Sequence, residues 1–131
     1  MIRGRRRAPR NLLRLLTSFE GRLDRAGFWT GLVLLAVVGL AVGGTANVLD
    51  WLLGFEIRGA GRLGYVTLAA VALVAYCFFA LQTKRWHDRD KSGWWNLLVA
   101  VPVIGPVWIL VEAGMLAGTP GANQFGPDPL A

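Results

Sequence analysis

The sequence predicts an all-α integral membrane protein: three transmembrane helices, the third kinked at Pro102/Pro106, preceded by a short amphipathic interfacial helix. Three observations lead there. The 131 residues are 54% hydrophobic and only 17% charged, with a mean hydropathy of +0.46, well to the apolar side of soluble domains. Three long apolar stretches each match the roughly 20 helical residues needed to cross about 30 Å of hydrocarbon. The basic residues gather in two segments of the chain rather than over a soluble face. This clustering, despite a net charge of +6, argues against nucleic acid as a partner.

The chain divides into a basic N-terminal tail, 1–10, and one membrane domain, 11–131, ending in a tail at 118–131. Residues before Pro9 read as disordered. Leu12, Leu15, Leu16, Phe19 and Leu23 then recur at helical spacing, with Arg10 and Arg14 on the opposite face. Such a stretch can lie along the cytoplasmic leaflet, where each Lys or Arg near anionic lipid contributes on the order of 1 kcal/mol. The alternative is a solvated basic tail. A cleaved signal peptide fits less well, because the basic region reaches Arg25 and the apolar run behind it exceeds the usual core of about 7 to 15 residues.

The first two spans, about 28–49 and 63–82, contain no Asp, Glu, Lys or Arg. A chain this short has too little polar material to bury them in a soluble fold. Gly39 and Gly43, four residues apart, allow close helix approach and make a homo-oligomer an open expectation. The third stretch, about 94–117, is interrupted by Pro102, Gly105 and Pro106, which remove backbone donors where lipid offers no replacement. A single kinked span is expected, with a re-entrant hairpin as the alternative. Glu112, the intramembrane acid, would lie about 27 Å along a continuous helix from Trp94, near the interface carrying Arg58 and Arg62. A salt bridge or snorkelling there is favoured over a proton relay.

Orientation follows from retention of Lys and Arg on the cytoplasmic side. Arg3, Arg5, Arg6, Arg7, Arg10, Arg14, Arg22 and Arg25 precede the first span, and Lys84, Arg85, Arg89 and Lys91 follow the second. Both segments are therefore expected inside. The C-terminal tail would lie outside after three crossings and inside after a re-entrant hairpin.

The segment from Lys84 to Trp95 alternates charge and indole. Trp86, Trp94 and Trp95, with Trp29 at the start of the first span, fit an aromatic belt, and Ser92 can cap the third helix. His87, Asp88 and Asp90 carry donors suited to a metal or to acid–base work, yet one His with adjacent acids lacks the spacing of a closed site. No metal, cofactor or catalytic residue is assigned. The single Cys77 excludes an intrachain disulfide.

The run Phe19-Glu20-Gly21-Arg22-Leu23-Asp24-Arg25-Ala26-Gly27-Phe28-Trp29, the run Arg85-Trp86-His87-Asp88-Arg89-Asp90-Lys91-Ser92-Gly93-Trp94-Trp95, and the run Gly118-Thr119-Pro120-Gly121-Ala122-Asn123-Gln124-Phe125-Gly126-Pro127-Asp128-Pro129 together resemble the small bacterial inner-membrane proteins catalogued as domain of unknown function 805. The family usually carries Arg-Arg-Leu-His-Asp where this chain has Lys84-Arg85-Trp86-His87-Asp88, and Asn-Arg-Phe-Gly where it has Asn123-Gln124-Phe125-Gly126. The resemblance implies a multi-span helical protein of the bacterial plasma membrane. It implies no activity.

Two functions follow as expectations. The first is a non-enzymatic module that binds anionic lipid headgroups or a membrane-protein partner through Arg22, Arg25 and Arg85, oriented by Asp24 and Asp88. The second is a transporter or channel component in which Glu112 and the kinked third span line a path.

Overall fold

Two of the three apolar stretches form single helices long enough to cross a membrane, while the third breaks and turns back. The computed structural model describes residues 11–131, so the expected basic tail, 1–10, with Arg10, lies outside the described residues. Helix α1 is Leu12–Thr17, α2 is Arg25–Leu53 and α3 is Tyr65–Asp88. A 3-10 helix, Gly93–Ala100, helix α4, Ile104–Ile109, and a π-helical turn, Leu110–Met115, complete the order. Among the described residues the only β pairing is two isolated bridges, Glu56 with Gly64 and Asn123 with Gly126.

The 29 residues of α2 and 24 of α3 reach about 43 and 36 Å at 1.5 Å per residue. Both exceed their expected bounds at the charged ends, because a helix continues past the hydrocarbon wherever capping permits. They pack antiparallel, with the methyls of Leu81 against Gly31: a Cβ on Gly31 would lie 2.9 Å from Leu81 Cδ2. Close approach thus occurs within the chain at Gly31, while nothing lies within 4 Å of a Cβ on Gly43. The packing leaves most of α2 bare. Only 11% of its most apolar window is buried, an exterior suited to lipid rather than water.

Asp50, fully buried, ties the far ends of these helices together. Its carboxylate accepts from the backbone N–H of Val66 at 2.9 Å and of Thr67 at 2.7 Å, and from the Thr67 hydroxyl at 2.7 Å. It thereby caps the N-terminus of α3 from another helix, where free N–H groups and the helix dipole favour a carboxylate. A side chain at Gly64 would overlap this carboxylate.

The third stretch departs from the expected kinked span. Its arms, the 3-10 helix and α4 with the π turn, rise about 16 and 18 Å, each well short of about 30 Å of hydrocarbon. Between them Pro102–Val103–Ile104 forms a tight turn: Ile104 N–H donates to Pro102 C=O at 2.7 Å, with Val103 at φ 64° and ψ −58°. This is the strained γ-turn conformation, rare for a β-branched residue. At Gly105 the second arm crosses the first so closely that a Cβ would overlap the Leu98 carbonyl. The prolines and Gly105 therefore do more than bend one helix; they reverse it, and both ends of the stretch lie beside the C-terminal end of α3.

A core of Leu23, Phe28, Leu35, Cys77, Leu81, Trp86, Ile109 and Ala113 joins α2, α3 and the second arm, with Leu15 and Leu16 of α1 packed against it. The expected amphipathic stretch is thus helical only over Leu12–Thr17: Leu15 and Leu16 pack inward, Leu12 is exposed, and Phe19 and Leu23 lie past the end of the helix.

Candidate functional site

At the C-terminal end of α3, Asp88 stands between two guanidinium groups. Its Oδ1 lies 3.0 Å from Arg22 Nη2 and its Oδ2 2.5 Å from Arg85 Nη1, and the three side chains are 4%, 1% and 0% exposed. A buried pair of cations sharing one carboxylate requires further acceptors. Backbone carbonyls supply them. Arg22 donates to Thr119 O at 2.6 Å, Gly121 O at 2.5 Å and Gly126 O at 3.4 Å. Arg85 Nε donates to Ala113 O at 2.6 Å, and Nη2 donates to Leu116 O.

Five successive carbonyls at the end of the second arm are capped in this way. Besides Ala113 and Leu116, Gly114 O accepts from Trp29 Nε1 at 3.0 Å, Met115 O from Arg25 at 3.0 Å and Ala117 O from Arg89 at 2.6 Å. The last turn of any helix leaves carbonyls without intrahelical partners and carries partial negative charge, so cations are favourable there. Arg25, Trp29, Arg85 and Arg89, separate in sequence, are brought together on this one stretch of backbone, while Arg22 reaches the tail that follows it.

The C-terminal tail closes over the same point. Thr119 N–H donates to Asp88 O at 2.8 Å, Asn123 Nδ2 donates to His87 O at 2.8 Å, and the Phe125 ring stacks on His87 at 3.9 Å with an interplanar angle of 3°. His87 Nδ1 is 3.1 Å from Gly21 O. Gly118 passes so near the Asp88 carboxylate that a Cβ would overlap it. Farther out, backbone N–H groups of Leu130 and Gly121 hold the Asp128 carboxyl below the ordinary aspartate range.

Glu112 sits at this edge too. Its carboxylate is 2.7 Å from Lys91 Nζ and 3.4 Å from Arg89 Nε, rather than beside Arg58 or Arg62. The expected salt bridge is present with different partners, because the chain reverses before it could reach the far interface. Lys91 Nζ also lies 4.4 Å from the Trp95 ring centroid. Trp86 is fully buried and donates to Asn96 Oδ1 at 3.0 Å, while Trp94 is 78% exposed. Ser92 is the cap residue of the 3-10 helix but makes no side-chain capping bond.

The sequence-derived candidates thus fall into two groups. Arg22, Trp29, Arg85, His87 and Asp88 hold segments of this chain to one another, whereas Ser92, Trp94 and Trp95 face outward and Arg25 is exposed while touching Met115. Sequence reasoning missed Asn96, Thr119, Asn123 and the capping role of Asp50. Thr119 and Asn123 lie in the third quoted run, the one signal that pointed toward them. Among the described residues no three His, Cys, Asp or Glu side chains come together to hold a metal.

The model of the family described as Protein of unknown function (DUF805) matches residues 16–127. The chain belongs to this family. It is 37% identical to Inner membrane protein YhaH of Escherichia coli (strain K12) over 119 residues, covering 90% of this chain and 92% of that protein. It is 34% identical to Inner membrane protein YhaI of the same strain, over 91% and 92% of the two chains. A third relative, Uncharacterized protein YiiR of that strain, is 30% identical over 86% of each chain. No solved structure matches. The family match spans every part of the carbonyl-capping cluster from Arg22 to Gly126, so for this DUF805 protein the three quoted runs read as one folded unit.

Proposed function

We propose that this protein is a non-enzymatic, multi-pass module of the bacterial inner membrane, with its N-terminus cytoplasmic, that binds anionic phospholipid headgroups at its cytoplasmic edge. The observation that carries the reading is the docking of α1. Lys84 Nζ donates to the carbonyls of Arg14 and Leu15, and Tyr76 Oη donates to Thr17 O at 3.0 Å, fixing α1 by its backbone. Arg14 is left exposed, and Leu12 and Leu13 are 51% and 71% exposed. A basic side chain beside exposed leucines at a membrane edge matches interfacial binding to anionic lipid. Arg22 and Arg85 are engaged inside the protein, so the headgroup-binding role passes to Arg14, Arg25 and the arginines before them. On this reading the third stretch enters and leaves the bilayer from the cytoplasmic side, leaving two full crossings. The transport reading is less supported, since Glu112 is neutralised by Arg89 and Lys91 at the edge.

Spin-labelled phosphatidylglycerol and phosphatidylcholine in reconstituted vesicles test the proposal. The wild type should immobilise phosphatidylglycerol preferentially, Arg10→Glu with Arg14→Glu should reduce that preference, and added salt should weaken it. Equal immobilisation of both lipids by the wild type would refute it.

A further inference from the structure

The membrane-facing side carries an apolar groove between α2 and α3, about 550 Å³ in volume, whose floor includes Gly39, Gly43, Ala70 and Val74. A second cavity of about 590 Å³ lies nearer the charged edge, between Phe19, Thr83, Ser92 and the 3-10 helix. The two share Phe79 and Val99 in their walls, so they form one trough from the edge toward the middle of the α2–α3 pair. Its inner part is lined by apolar side chains and glycines alone. Its outer part is lined also by exposed Ser92 and by Thr83 and Asn96, whose side chains are joined by a hydrogen bond from Asn96 Nδ2 to Thr83 Oγ1 at 2.7 Å.

We infer that this trough holds one acyl chain of an anionic phospholipid, with the headgroup at the Ser92–Asn96 rim. The inference rests on the headgroup-binding reading above and assigns it a location. Four features favour this occupant. The polarity runs in the order of a phospholipid, from a hydrogen-bonding rim to a wholly apolar end. The cation-bearing helix α1 is pinned at that rim: Lys84, next to Thr83, holds the Arg14 and Leu15 carbonyls, and Phe19, just past α1, forms one wall. The trough opens on faces of two helices apolar enough to span a membrane, where lipid is the surrounding solvent. At about 30 Å³ per water-sized group, the inner 550 Å³ has room for about 18 such groups, the scale of one acyl chain.

The test uses the full chain in phosphatidylcholine vesicles doped with phosphatidylglycerol carrying a photoactivatable diazirine in its acyl chain, with labelled residues mapped by mass spectrometry. Labels are expected on Val74, Phe79 and Val99, displaced more by unlabelled phosphatidylglycerol than by phosphatidylcholine. Gly43→Leu should lower the labelling several-fold, because Gly43 lines the trough and a Cβ there meets nothing within 4 Å. Ala36→Leu, at another lining residue, provides an independent filling variant, with helix content checked for both. Labelling spread evenly over Val33, Leu40 and other exposed positions, or unchanged by both fillings, overturns the inference. If the spin-label preference persists in that case, the headgroup reading stands and only the trough is wrong. Equal labelling by a phosphatidylcholine probe, with no spin-label preference, overturns both. Disulfide-linked dimers of Gly43→Cys in a Cys77→Ala background, with trough labelling lost, would assign the trough to a second copy and also overturn it.

Discussion

Arg22 and Asp88 meet at 3.0 Å across 66 residues of sequence, and Arg85 contacts the other oxygen of the same carboxylate. One acid thereby joins the segment before α2, the end of α3 and, through the remaining Arg22 and Arg85 donors, the returning arm and the tail.

Removing this carboxylate leaves two guanidinium groups buried without their shared counterion. Loss of one partner from a buried charge pair costs about 3 to 5 kcal/mol. Asp88→Ala is therefore expected to destabilise the protein by an amount in that range, read as chemical or thermal unfolding in detergent. Arg22→Lys should also destabilise it, because an ammonium point charge cannot reproduce the fork that reaches Asp88, Thr119 and Gly121 at once. An Asp88→Ala variant as stable as wild type would show that the carbonyls alone satisfy both cations.

Gln82 presents the opposite case. It is 1% exposed, and neither its amide oxygen nor its nitrogen has a hydrogen-bond partner among the described residues. On a helical wheel it falls between Arg85, which faces the second arm, and Trp86, which faces the first. A buried unsatisfied polar group costs about 1 to 3 kcal/mol, so Gln82→Leu should raise stability on that scale in the same unfolding assay. A drop would show that the amide is hydrogen-bonded in the membrane.

How far the sequence reveals this architecture depends on whether a feature is encoded locally. The expected first span, about 28–49, falls inside α2, and the second, about 63–82, coincides with α3 except for its first two residues, because hydropathy marks hydrocarbon-length helices directly. The break at Pro102 and Pro106 was visible as an interruption, but reversal depends on more than the prolines. Gly105 must accept the Leu98 carbonyl at van der Waals range, and donors from Arg25, Trp29, Arg85 and Arg89 must meet the far end. Those partners lie up to 90 residues away, and no periodicity records them. The same limit explains Glu112, which pairs with Arg89 and Lys91 rather than lying near Arg58 and Arg62. It also explains Arg22 and Arg85, whose charge in a membrane-edge segment is equally consistent with facing lipid or facing inward.

The turn at Val103 stores strain that glycine would relieve. A β-branched residue at φ 64° occupies a region that costs on the order of 1 to 3 kcal/mol, whereas glycine adopts it freely. Glycine also makes the unfolded chain more flexible, which offsets part of the gain. Val103→Gly is accordingly expected to stabilise the hairpin by about 1 kcal/mol or less, while Val103→Pro should disrupt it, because proline fixes φ near −65°. Unfolding midpoints of the two variants should therefore move in opposite directions. A lowered midpoint for Val103→Gly would mean that packing of the Val103 side chain outweighs the strain of the turn.

The side of the membrane on which the tail lies separates the two-crossing arrangement from the three-span expectation, and the hydrogen bonds make the alternatives distinct. Asn123 donates to His87 O, and Thr119 donates to Asp88 O, so a tail on the opposite side from the end of α3 would have to abandon the whole carbonyl-capping cluster. Single cysteines in a Cys77→Ala background, probed with an impermeant thiol reagent in intact and opened cells, distinguish them. A cysteine at exposed Gln124 should behave like one at exposed Asp90, protected in intact cells and labelled once the membrane is opened, whereas one at Ala60 should label from outside. Gln124 is close to this edge, its amide 3.5 Å from Asp90 O, so the two positions should share one pattern. Labelling at Gln124 from outside, with Asp90 still protected, would restore a full third crossing and require the Glu112 contacts with Arg89 and Lys91 to be absent in the membrane.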